Sequence, residues 1–244
     1  NMCRAKRKSS ACGFVNAVLR AVIRNINNLT LPDEKNKTKY FSVKYSCPEE
    51  IINLWQLSYG NDVTIKLLES LSSKPPLTIR VNTLKTTKEK LMADFKKEGI
   101  SVYDIGIVDN ALNIESNISI SENEAFKQGR FYVQDASSQI CCKLLNPKPG
   151  DEILDVCSAP GGKSFTIAQI MQNLGKIDAF DIHDHKVNLI KQGAKRLGID
   201  IIHASKRDAK TEEFDLKEYD KVLCDVPCSG LGIIRRKPEI RYFK

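Results

Sequence analysis

Between residues 152 and 225 short apolar runs alternate with helix-length segments. Strands are expected over 152–157, 176–181, 200–204 and 221–225, with helices over 163–173 and 184–197. Few folds accommodate such alternation. It predicts a parallel sheet with crossover helices, whose ligands bind outside the carboxyl ends of the strands. At the first of those ends stands Asp155-Val156-Cys157-Ser158-Ala159-Pro160-Gly161-Gly162-Lys163. This is strand, glycine turn and helix, an arrangement that aims backbone N–H groups and a helix N-terminus at whatever lies over the strand. The stretch is not the dinucleotide pattern G-x-G-x-x-G, which disfavours a nicotinamide or flavin cofactor.

The preceding part has a different rhythm. Residues 12–26 carry Phe14, Val18, Leu19, Val22, Ile23 and Ile26 on one helical face, which needs a partner to cover it. Residues 27–45 are polar and read as a linker. Helices are expected over 49–57 and 61–71, broken by Lys74-Pro75-Pro76. A strand follows over 77–82, then a helix from a Thr87 cap to a Gly99 stop, with short strands over 102–107, 111–114 and 129–134. A helix over 136–145 opens the last part. The division expected is therefore 1–45 (helix and linker), 46–134 (a small α+β domain) and 135–244 (the α/β domain). The chain begins at Asn1 and stops at Lys244 with no helix stop or tail, so both ends look cut from something longer.

Charge is unevenly placed. The net charge of +8 resides in residues 1–45, where Arg4, Lys6, Arg7, Lys8, Arg20, Arg24, Lys35, Lys37, Lys39 and Lys44 face two acidic residues. This is either a phosphate-contacting surface or a solvated helix and linker. A second basic group, Arg235, Arg236, Lys237, Arg241 and Lys244, follows Asp225-Val226-Pro227-Cys228 and is the better nucleic-acid candidate. No apolar run approaches the ~18–20 residues that span a membrane, and no signal peptide is visible, so the expected compartment is the cytoplasm. The eight cysteines lack C-x2-C spacing and neighbouring histidines, which disfavours a zinc site. In a reducing compartment most are expected to be small core residues, Cys157 and Cys224 among them.

Several residues at the strand ends have chemistry available. Asp181 ends the second strand, where an acid can accept hydrogen bonds from both ribose hydroxyls; the alternative is a helix cap. Asp208, after the third strand, is either an acceptor for an adenine amino group or a solvated loop acid. Cys228, fixed by Pro227 and flanked by basic residues, is either a reactive thiolate or a packed cysteine. Lys163 sits in the first turn of a helix, where the dipole disfavours a cation; contact with a cofactor or substrate would explain it, and the alternative is a snorkelling surface lysine.

Taken together, Phe14-Val15-Asn16-Ala17-Val18-Leu19-Arg20, Arg80-Val81-Asn82, Val133-Gln134-Asp135-Ala136-Ser137-Ser138-Gln139, the loop 155–163 and residues 225–242 resemble the NOL/NOP/Sun family of RNA cytosine-C5 methyltransferases, bacterial 16S ribosomal RNA branch. Arg235-Arg236-Lys237-Pro238-Glu239, after the Pro-Cys loop, is a particularly specific match to that branch. The resemblance implies a Rossmann-like methyltransferase domain, incomplete at its C-terminal end, preceded by a small RNA-recognition-like domain and the end of a NusB-like helical domain. It implies S-adenosylmethionine as cofactor. Cys157, Ser158, Ala159, Pro160, Gly161, Gly162 and Lys163 would wrap its methionine and ribose end, Asp181 would hold the ribose and Asp208 the adenine. Asp225 would border cofactor and target cytosine, with Cys228, Asp225 and Lys163 as catalytic candidates. The partner implied is 16S ribosomal RNA, methylated to 5-methylcytosine by a monomer that needs neither DNA nor a membrane. In the family the attacking cysteine belongs to a Thr-Cys pair beyond the Pro-Cys loop, and no such pair occurs in residues 1–244. Cys228 would then assist release, and this chain is expected not to turn over. The competing readings are a non-catalytic RNA-binding protein that keeps the fold, and a methyltransferase acting on protein or a small molecule. The intact glycine loop argues against the former and the Pro-Cys loop against the latter.

Overall fold

The computed structural model describes residues 2–5, 8–28, 30–210 and 218–242; Lys6, Arg7 and Lys244 of the two basic groups lie outside them. Contacts group the chain into two compact units, residues 1–74 with 230–244, and residues 75–229. This grouping cuts across the division 1–45, 46–134 and 135–244.

The first unit is helical. A single turn, α1 (Met2–Ala5), precedes α2 (Cys12–Asn25), α3 (Lys37–Tyr45) and α4 (Glu49–Ser70). The apolar face of α2 lies open, with Phe14 74% and Ile23 70% exposed. Part of the segment expected as linker is helix. Asn36 accepts a hydrogen bond from the Lys39 N–H at 3.1 Å and so caps α3, whose Phe41 and Tyr45 pack against the buried Cys47, Ile52, Trp55, Leu68 and Ile234. Lys37, Lys39 and Lys44, interleaved with these aromatics, mask the apolar face in the sequence. Helix α4 is two helices joined at Gly60, whose φ of 76° and ψ of 173° interrupt the helix where the break between 57 and 61 is expected.

The second unit contains two sheets. The first runs β1 (Leu77–Val81), α5 (Lys88–Lys97), β2 (Val102–Asp104), β3 (Ala111–Ile114), α6 (Glu124–Lys127) and β4 (Phe131–Val133). Its antiparallel order β2-β3-β1-β4 is the β-α-β-β-α-β arrangement of ferredoxin-like domains. Alternate residues of β1, Ile79 and Val81, join Leu91, Phe95, Leu112 and Phe131 in its core. β2 is shorter than expected because the Asp104 carboxylate accepts from the Gly106 N–H at 2.9 Å and turns the chain.

The second sheet is parallel, in the order β7-β6-β5-β8. Helix α7 (Ala136–Leu145) precedes β5 (Glu152–Asp155), α8 (Gly162–Ile170), β6 (Lys176–Asp181), α9 (Asp184–Leu197), β7 (Ile202–Lys206) and β8 (Lys221–Leu223). Helix α8 stops before 173 because Gln172 and Asn173 turn left-handed, and β7 starts two residues later than expected. β5 pairs with β6 on one side and β8 on the other, so the strand order reverses there and a crevice opens at its carboxyl end. Asn82 ties the two sheets together, donating at 2.8 Å to both the Gly129 and Leu197 carbonyls. Arg196 does the same from the other side, bonding the Phe126 carbonyl at 2.7 Å and stacking 3.9 Å from the Phe126 ring. Among the described residues no helix is long and apolar enough to cross a membrane.

Candidate functional site

At the carboxyl end of β5 the chain turns through residues 156–161 into α8. Gly161 takes φ 101°, and a Cβ there would lie 2.5 Å from the Phe165 ring, so this turn requires glycine. The loop encloses a cavity of about 200 Å³ lined by Asp155, Cys157 to Pro160, Gly162, Lys163 and Asp225, and on its other side by Gln134, Asp135 and Ser138. Of the expected cofactor and catalytic residues, 157–160, Gly162, Lys163 and Asp225 therefore meet at one cavity, with Gly161 shaping its turn.

Gln134 fixes the loop from the neighbouring sheet. Its side-chain amide donates to the Gly162 carbonyl at 2.9 Å and accepts from the Thr166 hydroxyl at 2.8 Å. The Lys163 ammonium reaches across to the Asp225 carboxylate, which explains a cation in the first turn of a helix. Burial acts to lower the Lys163 pKa, but the hydrogen bond and charge of Asp225 outweigh it and hold the ammonium above its usual range.

Asp155 is 1% exposed. Its Oδ2 accepts from the Ser164 hydroxyl at 2.5 Å, and Ser164 is bonded to Ser158 at 2.9 Å. Its Oδ1 is buried and, among the described residues, has no hydrogen-bond partner. Burial pushes its pKa up to about 6, against the opposing pull of Ser164 and Lys163. A buried carboxylate oxygen without a donor is an open acceptor for a ligand N–H.

Other expected residues lie apart from this cavity lining. Asp181, at the end of β6, accepts from the His183 N–H at 3.0 Å and lies 3.8 Å from the Lys186 ammonium. Asp208, beyond β7, accepts from the Lys210 N–H at 2.9 Å. Both stand on the same edge of the sheet as the cavity, on successive strands. Cys228 is exposed and is not among the lining residues. Cys157 and Cys224, expected in the core, are not there: β5 and β8 end before them, leaving Cys157 half-buried at the cavity and Cys224 exposed. Burial, with Cys224 and nearby carboxylates, raises the Cys157 pKa and keeps it a thiol. In the second basic group, Arg235 donates to the Ser73 hydroxyl and the Lys74 carbonyl at 2.7 and 2.8 Å, and Arg241 to the Ser46 carbonyl at 2.9 Å, so both clamp backbone of their own unit.

Sequence reasoning assigned no role to Asp155, Gln134, Asp135 or Ser138. Asp155 had a signal, as an acid ending an apolar strand before a glycine turn. The other three line the cavity through packing of β4 and α7 against the loop, which no local pattern encodes.

Two family models match. "16S rRNA methyltransferase RsmB/F" covers residues 142–244, and an RsmF/B-like ferredoxin-like domain covers 47–121. The chain belongs to the RsmB/F family. Among curated relatives, the Bacillus subtilis probable ribosomal RNA small subunit methyltransferase B is 36% identical over 95% of this chain and 52% of its own length. The Proteus mirabilis ribosomal RNA small subunit methyltransferase B is 30% identical over 98% of this chain and 56% of its own. This RsmB/F chain thus spans about half the length of the curated relatives it matches. The crystal structure of PH0851 superposes with a TM-score of 0.79 at 33% identity, covering 87% of this chain and 48% of that one. The fold class read from the sequence, a Rossmann-like α/β domain preceded by a small α+β domain, is the one observed, and the small domain is ferredoxin-like.

Proposed function

We propose that the chain is the cofactor-binding part of an S-adenosylmethionine-dependent methyltransferase acting on cytosine C5 of 16S ribosomal RNA. The observation that carries this reading is the unpartnered Asp155 Oδ1 at the cavity under the glycine turn. The donor set suits an amino-acid-bearing nucleoside. Asp155 accepts from its ammonium, the α8 N-terminus and the 158–162 backbone border its carboxylate, and Asp181 and Asp208 receive ribose and adenine on the next two strand ends. S-adenosylmethionine supplies an electrophilic methyl group.

Lys163 and Asp225 stand where the target base meets that group. Lys163 holds the Asp225 carboxylate toward the cavity, and Asp225 accepts a hydrogen bond from the cytosine amino group. Cytosine C5 is too weak a nucleophile alone. A thiolate adding to C6 makes C5 nucleophilic; after methylation, loss of the C5 proton and expulsion of the thiol restore the ring. The base must leave its stack for this. We assign Cys228 to the release step, with the attacking thiol outside residues 1–244. Residues 46–134 are assigned RNA contact, as is the basic segment 1–45.

Calorimetric titration with S-adenosylmethionine tests the reading. Binding is expected, weakened in Asp181→Ala by ~1–3 kcal/mol, the scale of a lost charged hydrogen bond. A folded chain that does not bind, or a variant that binds equally well, overturns it.

A further inference from the structure

A second cavity, of about 210 Å³, lies away from the glycine turn, among Arg80, Asp109, Asn110, Gln139, Lys143 and Asn146. Arg80 belongs to β1 and is 4% exposed. Its Nε donates to the Gln169 side-chain oxygen at 3.1 Å and its Nη1 to that of Gln139 at 3.2 Å. Both partners are neutral amides. Among the described residues Arg80 forms no ion pair, and its Nη2 makes no hydrogen bond. Arg130, by contrast, meets the Asp94 carboxylate at 2.6 Å. A guanidinium withdrawn from water without a counter-charge is costly, and the cost falls if an anion reaches it.

The cavity has a second cation. Lys143, on α7, carries its ammonium 3.3 Å from the Asp109 carboxylate, with side chains 64% and 82% exposed. So exposed a pair contributes little, and Lys143 is free to turn inward.

We propose that this cavity binds a phosphate group. Arg80 is the buried anchor, presenting the free part of its fork, and Lys143 closes on the group from the rim. The side-chain amides of Asn110 and Asn146 supply donors from the wall. A tetrahedral oxyanion engages donors on the floor, wall and rim at once, whereas a planar carboxylate would occupy the fork alone. The group comes either from an RNA phosphodiester or from free phosphate.

The test follows the Arg80 Nε–Hε cross-peak of the nitrogen-labelled chain by NMR. The titrants are inorganic phosphate, a short single-stranded RNA and, as control, chloride at equal ionic strength. The cross-peak is expected to move saturably with phosphate but not with chloride. Lys143→Gln, a change on an exposed side chain, is expected to weaken phosphate about tenfold, equivalent to ~1.4 kcal/mol. RNA that displaces phosphate identifies the phosphodiester as the source; RNA that leaves the phosphate-bound peak in place identifies free phosphate. A cross-peak unmoved by both phosphate and RNA, one moved equally by chloride, or wild-type affinity in Lys143→Gln overturns the proposal.

Discussion

Replacing Asp155 with asparagine should stabilise the fold while damaging its site, and the pH dependence gives the size of the effect. The folded carboxyl titrates at about 6 against an ordinary aspartate value of 3.8. At about 1.4 kcal/mol for each tenfold change in proton affinity, the gap amounts to ~3 kcal/mol. The native state holds its proton more tightly than the unfolded chain, so stability falls as pH rises from about 4 to about 6 and then levels off. Below that window both states are protonated and the cost disappears; above it the buried charge is carried in full. Asp155→Asn removes the charge and keeps an amide oxygen for the Ser164 hydroxyl. Its advantage over wild type should therefore be only ~0.6 kcal/mol at pH 4 and reach ~3 kcal/mol at pH 8. Urea denaturation across that range, followed by circular dichroism, measures the difference between the two proteins and so cancels every other titrating group. An advantage that does not change with pH would refute the reasoning. S-adenosylmethionine binding to the variant at pH 8 should drop in the same preparations, because Oδ1 no longer accepts.

Other substitutions probe separate links. Lys163→Met removes the cation that favours ionised Asp155, so the Asp155 midpoint should climb above 6, read from the same pH series. Gly161→Ala sets a Cβ against the Phe165 ring at a left-handed φ; a loss of ~1–3 kcal/mol is expected by thermal denaturation, together with loss of cofactor binding in calorimetry. Asn82→Ala strips two buried carbonyls of their donor and should cost ~1–3 kcal/mol in urea denaturation. Cys228→Ala, at an exposed position outside the cavity lining, should leave S-adenosylmethionine affinity unchanged by calorimetry.

Much of the architecture was legible because it is written in local periodicity. Helices α7 and α9 and strand β6 fall on their expected bounds, where apolar spacing and capping agree. The convergence of loop 157–163 with Asp225 was also legible, since in a parallel sheet residues at successive strand ends share an edge. What the sequence did not disclose is non-local. The partner of Lys163 lies 62 residues away, and the amide that pins Gly162 comes from the other sheet. Arg80, a charge in an alternating strand, is buried with its guanidinium bonded to Gln139 of α7 and Gln169 of α8, and tertiary packing overrides the pattern. Helix α3 was missed because its fit to the Trp55 cluster, and not its own composition, stabilises it. Cys224 was misplaced because β8 ends at Leu223, two residues before the expected end of the strand at 225.

The chain leaves its helical unit after residue 74 and rejoins it at 230, which dictates an order of events during translation. The core around Trp55 includes Ile234, and Arg241 bonds the Ser46 carbonyl across 195 residues. Helices α3 and α4 emerge from the ribosome before residues 75–229 but must wait for the segment around Ile234 to complete their core. Residues 75–229 have all their own contacts available earlier and can fold while the other unit is still open. The helices made before residues 75–229 are thus finished after them, and their apolar surfaces stay accessible to chaperones throughout that delay.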